Sequence, residues 1–524
     1  MSLVREEARA TVRLAVPIVV SAVLRKAVDT VTVMYLGSLS NEALASASLA
    51  TTTINVLGNS VFVGFSSATS TLVSQAYGAK DAPLTATLLA RAALIQMVAS
   101  VPVVLVLANL QLLLLLMGQN AELARDAQSF CAWMIPGVYA FALNFVVNPW
   151  LFSQRVTRPQ YLISGVALMF HIPANHVAVY TWGMGMNGAA LASSMTLVLT
   201  FLLLLATLWC SFRRRLKHMS LREAFHGWSE FLHLALPGML MMGEWWASEI
   251  AIMMSGRLDD PDVALSAMSI YQNVNAIAFM LPWGVSTASC ARIGNALGAG
   301  DASGARRTTY IGGGFAVGLS LVSTVTLLFG RHTFVRMFTH DGALQESASA
   351  LLCILSLYVI ADAFQYSMSA ALRGSGRQLQ AAPIVIVAYF FFGLPLAALL
   401  SLELGWGTVG ICIGMLAGKS AHAAMTGILV LRTDWDKQVS DAQGRLARSS
   451  LAIRQVSTQS SLPLGEASQA TEEVKGAEAQ AVTTKNPTDT ACAIHLKKGH
   501  NSEAVCGRHE RAYGKLVEDP VETA

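Results

Sequence analysis

Apolar runs of about 20 residues or more alternate with short polar connectors along the first 431 residues of the chain. About 20 apolar residues in helical conformation cross the hydrocarbon of a bilayer, and runs this long do not read as strands. The pattern predicts twelve membrane helices near 13–36, 47–72, 86–116, 130–151, 160–182, 186–210, 231–254, 264–289, 308–330, 350–371, 382–402 and 405–431. Past about Thr433 the apolar periodicity stops and Ser, Thr, Gln, Lys and Glu dominate. That composition predicts a disordered tail over 433–524.

Composition agrees with a membrane class. The chain is 54% hydrophobic and 13% charged, against about 25% charged in soluble domains. A net charge of +4 gives no sign of a nucleic-acid partner. The seven cysteines are scattered and suggest neither a disulfide framework nor a metal site within the apolar part. The tail holds "CAIH" and "CGRH", with Cys492, His495, Cys506 and His509, a spacing that suits zinc or arises by chance in a polar tail; no fold is expected around the pairs and no metal is expected. The polar start "MSLVREEARATVR" runs into a full-length apolar segment and reads as retained rather than cleaved. Basic residues gather at the N-terminus and in the even-numbered links, above all in "SFRRRLKHMSLREAF". Odd-numbered links are poorer in them, the ninth link excepted, so both termini are expected in the cytoplasm.

The chain resembles itself at an offset of 220 residues. "RLAVPIVV" answers "HLALPGML", aligning Pro17 with Pro237, and "VGFSSATSTLVSQAYGAKD" answers "WGVSTASCARIGNALGAGD". Gly64, Gly78, Ala79 and Asp81 fall on Gly284, Gly298, Ala299 and Asp301. A repeat of six helices is a parallel one, with its pseudo-two-fold axis along the membrane normal, an architecture of transporters that handle substrate between the halves. The expected organisation is an N-terminal lobe at 1–210, a basic linker at 211–230, a C-terminal lobe at 231–432 and the tail.

The seventh apolar run contains "MMGEWWASEI", with Glu244 and Glu249. An acid at the centre of a membrane helix costs about 2.5–3.5 kcal/mol, so it marks a functional candidate. The two are five residues apart, about 140° around a helix, and cannot share a face. Asp29 occupies the position equivalent to Glu249 in the first repeat, one turn after Arg25 and Lys26, and serves either as a coupling group or as their ion-pair partner. Asp362 is a further intramembrane acid, beside Gln365 and Tyr366. Trp245 and Trp246 serve as aromatic faces for a cation or as core or interfacial packing. Gln272, Asn273 and Asn275 serve as ligands or as polar contacts between helices. No nucleotide-binding motif is present, which argues against an ATP-driven pump.

On these residues the chain resembles the multidrug and toxic compound extrusion (MATE) transporters, of the eukaryotic type, over about residues 10–431. "GEWWASEI" is the most specific match; "VDTVTVMYLG", "SQAYGAK", "RIGNALGAG", "LRGSGRQ" and "YFFFGLP" resemble other patterns of that family. The resemblance implies an all-α membrane fold of twelve helices in two bundles around a central cleft, and export of organic cations in exchange for protons or sodium. It implies coupling roles for Glu244, Glu249, Asp362 and Asp29, and adds Asn175 to the cleft candidates Trp245, Trp246, Gln272, Asn273 and Tyr366. Ser70, Asn273 and Val385 depart from the family's pattern. The expectation is a monomeric, proton-coupled antiporter without cofactor or catalytic activity, in the plasma membrane or an intracellular vesicle or vacuole membrane. The alternatives are sodium coupling, export of organic anions such as carboxylates, and lipid-linked substrate flipping.

Overall fold

The computed structural model describes residues 2–217 and 219–459; the two Cys-His pairs of the tail lie outside the described residues. Twelve helical rods follow one another. They are α1 (Ser2–Leu39), α2 (Asn41–Thr53, a π-turn at Ile54–Asn59, then Ser60–Gly78), α3 (Ala82–Ala108), α4 (Ala121–Ser153), α5 (Arg158–His176, continued by Val177–Thr181) and α6 (Gly185–Leu216). The second half repeats the plan. It holds α7 (Trp228–Leu240 and Gly243–Ser255), α8 (Pro261–Gly298), α9 (Ala302–Arg336), α10 (Gly342–Ser375), α11 (Gln378–Val385 through Leu399–Glu403) and α12 (Gly407–Leu431).

Ten of the rods are long and apolar enough to cross a membrane. The other two fall short for visible reasons. α1 carries Arg25, Lys26 and Asp29 within its apolar part, and α7 is broken into two helices of 13 residues each. Phe329, Leu116, Met169 and Phe391 are at least 75% exposed on the outside of the bundle. In water such a surface would be a liability; against lipid it is ordinary.

The 220-residue repeat is visible in how the halves meet. A Cβ on Gly78 would collide with the carbonyl of Asn295, and one on Gly298 with that of Gln75. Likewise a Cβ on Gly64 would strike the backbone of Met239, and one on Gly284 the side chain of Val19. Each contact maps onto its mate by the same offset, so the two lobes face each other across an internal two-fold, as identical subunits do in an isologous dimer. Glycine is required at these four places because helices cross with their backbones nearly touching. The turns after α2 and α8 correspond as well: Lys80 and Gly300 both adopt left-handed backbone, and Asp81 and Asp301 both cap the next helix. Leu14, Ala15 and Ile18 of α1 share an apolar cluster with Val285 and Ala288 of α8, which seals the lobes together along this seam.

Two of the boundaries that differ from expectation have a visible cause. α6 continues to Leu216, beyond the apolar run, because its arginines find partners: Arg213 lies 5.2 Å over Trp209, and Arg215 donates to the Gln154 side chain at 2.6 Å. Cations at a helix C-terminus are favoured by the backbone dipole. The expectation of disorder from 433 is also corrected, since Trp435–Gln459 forms a helix, α13. Asp434 accepts from the backbone N–H of Asp436 and Lys437 at 3.1 Å, and Trp435, Val439 and Ala442 repeat at helical spacing and pack on the C-lobe core. The compact unit closes at Gln443.

Candidate functional site

The break in α7 is the local event that builds the site. Pro237 cannot donate a backbone hydrogen bond, the first half-helix ends at Leu240, and the second begins at Gly243. Glu244 therefore lies in the first turn of a new helix, where free N–H groups and the dipole favour a negative charge. The start of this helix packs on α11: a Cβ on Gly243 would lie 3.5 Å from Val385 and Phe390.

α12 supplies the partner. Gly410, Gly414 and Gly418 recur every fourth residue, and each abuts the backbone of α11. This close packing sets the rotation of α12 and turns the neighbouring Lys419 inward. Lys419 is fully buried, and its ammonium donates to Glu244 Oε1, to Asp362 Oδ1 at 2.6 Å and to Gln365 Oε1 at 3.4 Å. Three donors thus meet three oxygens drawn from α7 and α10. Tyr358 and Tyr389 present their rings 5.1 and 5.9 Å from the nitrogen. His422, one turn along α12, places Nδ1 3.8 Å from Glu244 Oε2 and stands edge-on to Tyr389. Gln365 bridges to His422 at 3.3 Å and donates to Ser369 at 2.8 Å.

Of the expected coupling residues, the fold gathers Glu244 and Asp362 and leaves the other two apart. Glu249 is half-buried and Asp29 is exposed. The Arg25 guanidinium, one turn before Asp29, lies 5.4 Å over Trp283. Among the cleft candidates, Trp245 and Gln272 are half-buried and Asn273 is exposed, with its amide on the Ser269 carbonyl at 2.9 Å. Trp246 reaches the other lobe, donating to the Val56 carbonyl at 3.3 Å. Tyr366 is a core residue rather than a cleft residue: it is buried, with Phe279 at 4.9 Å and the Arg373 guanidinium 4.8 Å from its ring. Asn175 is also fully buried. It joins His171 at 2.9 Å in a hydrogen-bond network with Thr32 and Thr196 inside the first lobe. Both side chains are buried within their own lobe.

Lys419 and His422 escaped the sequence reading. Their signal was present in "AGKSAHAAM": a lone lysine within an apolar span, followed three residues later by a histidine on the same face. Any ionisable residue at such a depth is a functional candidate with a partner to be found.

With both acids ionised the triad of Glu244, Asp362 and Lys419 carries one net negative charge; one proton neutralises it. The cluster can hold and release one proton while Lys419 stays paired with a carboxylate. Breaking a buried ion pair costs about 3–5 kcal/mol, so the lysine must remain close to at least one carboxylate throughout.

Comparison with known proteins agrees with this architecture. The MatE family profile matches residues 17–177 and 237–399, one stretch per lobe, starting at the two prolines that head the repeat. Protein DETOXIFICATION 12 of Arabidopsis thaliana is 31% identical over 438 residues, covering 83% of this chain and 90% of the relative. The crystal structure of the eukaryotic MATE transporter AtDTX14 superposes with a TM-score of 0.81 at 27% identity, covering 84% of this chain and 99% of that one. A Vibrio cholerae MATE transporter, VcmN, shares the fold with a TM-score of 0.75 at 18% identity, over 82% and 98% of the two chains. Twelve rods in two equivalent lobes, an acid pair inside the second and a family match in each half place the chain in the MatE family: it is a multi-pass membrane transporter of the eukaryotic MATE type, not an enzyme.

Proposed function

We propose that the protein exports small organic cations in exchange for protons, with Glu244 and Asp362 as the proton-exchanging groups. The observation that carries the reading is the placement of these two acids, almost wholly buried, around one lysine in the core of the second lobe. Glu244 is the more accessible, with 12% of its side chain exposed against 4% for Asp362, and is the group through which the proton enters. Asp29 and Glu249, related by the repeat and reachable from solvent, supply negative charge for a cationic cargo, and Trp245 and Trp246 supply aromatic faces worth about 0.5–2 kcal/mol to it. The protein works as a monomer with both termini in the cytoplasm, in the plasma membrane or an intracellular vesicle or vacuole membrane.

The driving force is sufficient. One pH unit is worth about 1.36 kcal/mol per proton, which sustains a tenfold gradient of a cargo exchanged one for one. The test is uptake of labelled tetraethylammonium into proteoliposomes under an imposed pH or sodium gradient. Uptake that follows the pH gradient supports the proposal. Uptake that follows sodium after the pH gradient is collapsed overturns it in favour of sodium coupling. Failure of the cation with transport of a dicarboxylate points to organic-anion export.

A further inference from the structure

We propose that Lys419 is a resident counter-cation: it fills the place between Glu244 and Asp362 that a sodium ion or a cargo ammonium would take, and leaves the proton as the only cation the pair exchanges. The inference deepens the proposed function and rests on Glu244 and Asp362 being the coupling pair.

The geometry argues for it in three steps. A desolvated monovalent cation needs a ring of oxygens, and the carboxylate and amide oxygens that converge here are Glu244 Oε1, Asp362 Oδ1 and Gln365 Oε1, with the hydroxyls of Tyr271 and Tyr389 buried beside them. All three carboxylate and amide oxygens already accept from Lys419. The remaining walls are occupied too. Tyr358 on α10 and Tyr389 on α11 cover the ammonium, His422 covers the second oxygen of Glu244, and Tyr271 on α8 is buried. No further positively charged side chain faces the group from these elements among the described residues.

The charge balance points the same way. Two carboxylates alone would form a doubly negative pocket that any small cation could enter. The tethered ammonium reduces that to a single negative charge, and a second fixed cation beside it would meet like-charge repulsion in a medium that screens poorly. A proton escapes this penalty because it joins a carboxylate oxygen covalently and removes a charge instead of adding a bulky one. Cargo bearing an ammonium group is thereby directed to the accessible acids outside the cluster.

The test reads binding, not transport. Purified protein at pH 8 is titrated with sodium and, separately, with tetraethylammonium, followed by radiolabelled sodium binding and by the fluorescence of Trp245 and Trp246 beside the site. Wild type is expected to bind no sodium at the cluster. Lys419→Gln is expected to bind it at least about tenfold more tightly. Asp362→Asn/Lys419→Gln keeps the triad's net charge and so guards against a folding failure of the single variant; it is expected to gain sodium binding as well. Sodium binding by wild type that disappears in Glu244→Gln overturns the proposal, and so does a folded variant lacking Lys419 that binds no more sodium than wild type. If sodium is excluded as expected but tetraethylammonium uptake ignores the pH gradient, the coupling reading falls while the role of Lys419 stands.

Discussion

Arg292 on α8 grips Glu7 near the start of α1 with two parallel hydrogen bonds, Nε to Oε1 at 2.8 Å and Nη2 to Oε2 at 2.6 Å. The pair joins the two lobes at the end where Gly78 and Gly298 meet their partners. Thr308 adds a third bond to Glu7 at 2.6 Å, while Thr71 donates to the Arg373 carbonyl at 2.6 Å and Gln75 to the Gly374 carbonyl at 3.0 Å. If the lobes rock to expose the cleft alternately, this set must break in each cycle. Charge-assisted bonds of this kind are worth about 1.5–3 kcal/mol. Glu7→Gln should therefore enlarge the population in which this end is open. Distances between spin labels at Lys80→Cys and Gly300→Cys, in a background without native cysteines, should gain a longer component. An unchanged distribution would remove Glu7 from the lock.

Gly298→Ala should destabilise the protein, although alanine is the better helix former by about 1 kcal/mol. The added methyl meets the Gln75 backbone, which cannot step aside as a flexible side chain would. Gly318→Ala offers the contrast: nothing lies within 4 Å of its Cβ position, so the propensity gain should appear as a small rise in melting temperature. Opposite signs from the same substitution on α8 and α9 would separate packing from propensity. Equal effects would show that the lobes do not rest on Gly298.

Glu244→Gln should fold and lose coupled export. It leaves Lys419 paired with Asp362, a neutral pair resembling the protonated state of the site. Asp362→Asn should behave in the same way. The double variant Glu244→Gln/Asp362→Asn strands the ammonium without a carboxylate and should lose far more stability than the two single changes together. Glu249→Gln, outside the cluster, should weaken cargo affinity while export remains responsive to pH. A thermal-stability cycle for the first pair and cation uptake at two pH values for Glu249→Gln decide these points; additive stability losses would argue against a shared lysine.

Asp301 offers a prediction about pH. Burial alone would push its carboxyl up, but the Gly304 N–H at 2.7 Å, the Ser303 hydroxyl at 2.8 Å and Arg307 at 3.9 Å outweigh it and hold the group below the usual carboxylate range. A lowered folded-state value means that the stabilisation is present above the ordinary carboxylate range and is lost as pH falls through the folded value. Asp301→Ala should cost about 1 kcal/mol at neutral pH, the usual loss of a helix cap. The gap between wild type and variant should narrow on acidification. A gap that widened toward low pH would contradict the assignment.

Local properties were legible in the sequence. Apolar runs located the rods because hydropathy depends only on neighbouring residues and on the thickness of oil they cross. The 220-residue register showed two equivalent lobes, since a repeated pattern requires repeated packing, and Gly64, Gly78, Gly284 and Gly298 now stand at symmetry-related crossings. Glu244 and Asp362 stood out because charge in an apolar span is costly wherever it points.

Tertiary structure decided which charges meet. Lys419 and Glu244 are 175 residues apart, and their pairing depends on the break at Met241 and Met242 and on the rotation that the α11–α12 glycine contacts impose. Neither is a property of a local window. The same rotations sent Glu249 and Asp29 away from the cluster and buried Tyr366 and Asn175 among their own neighbours. Helical periodicity states which residues share a face of one helix; only the packed bundle selects the partner that each face receives, because the energy of a buried charge is set by whatever lies within a few ångströms of it.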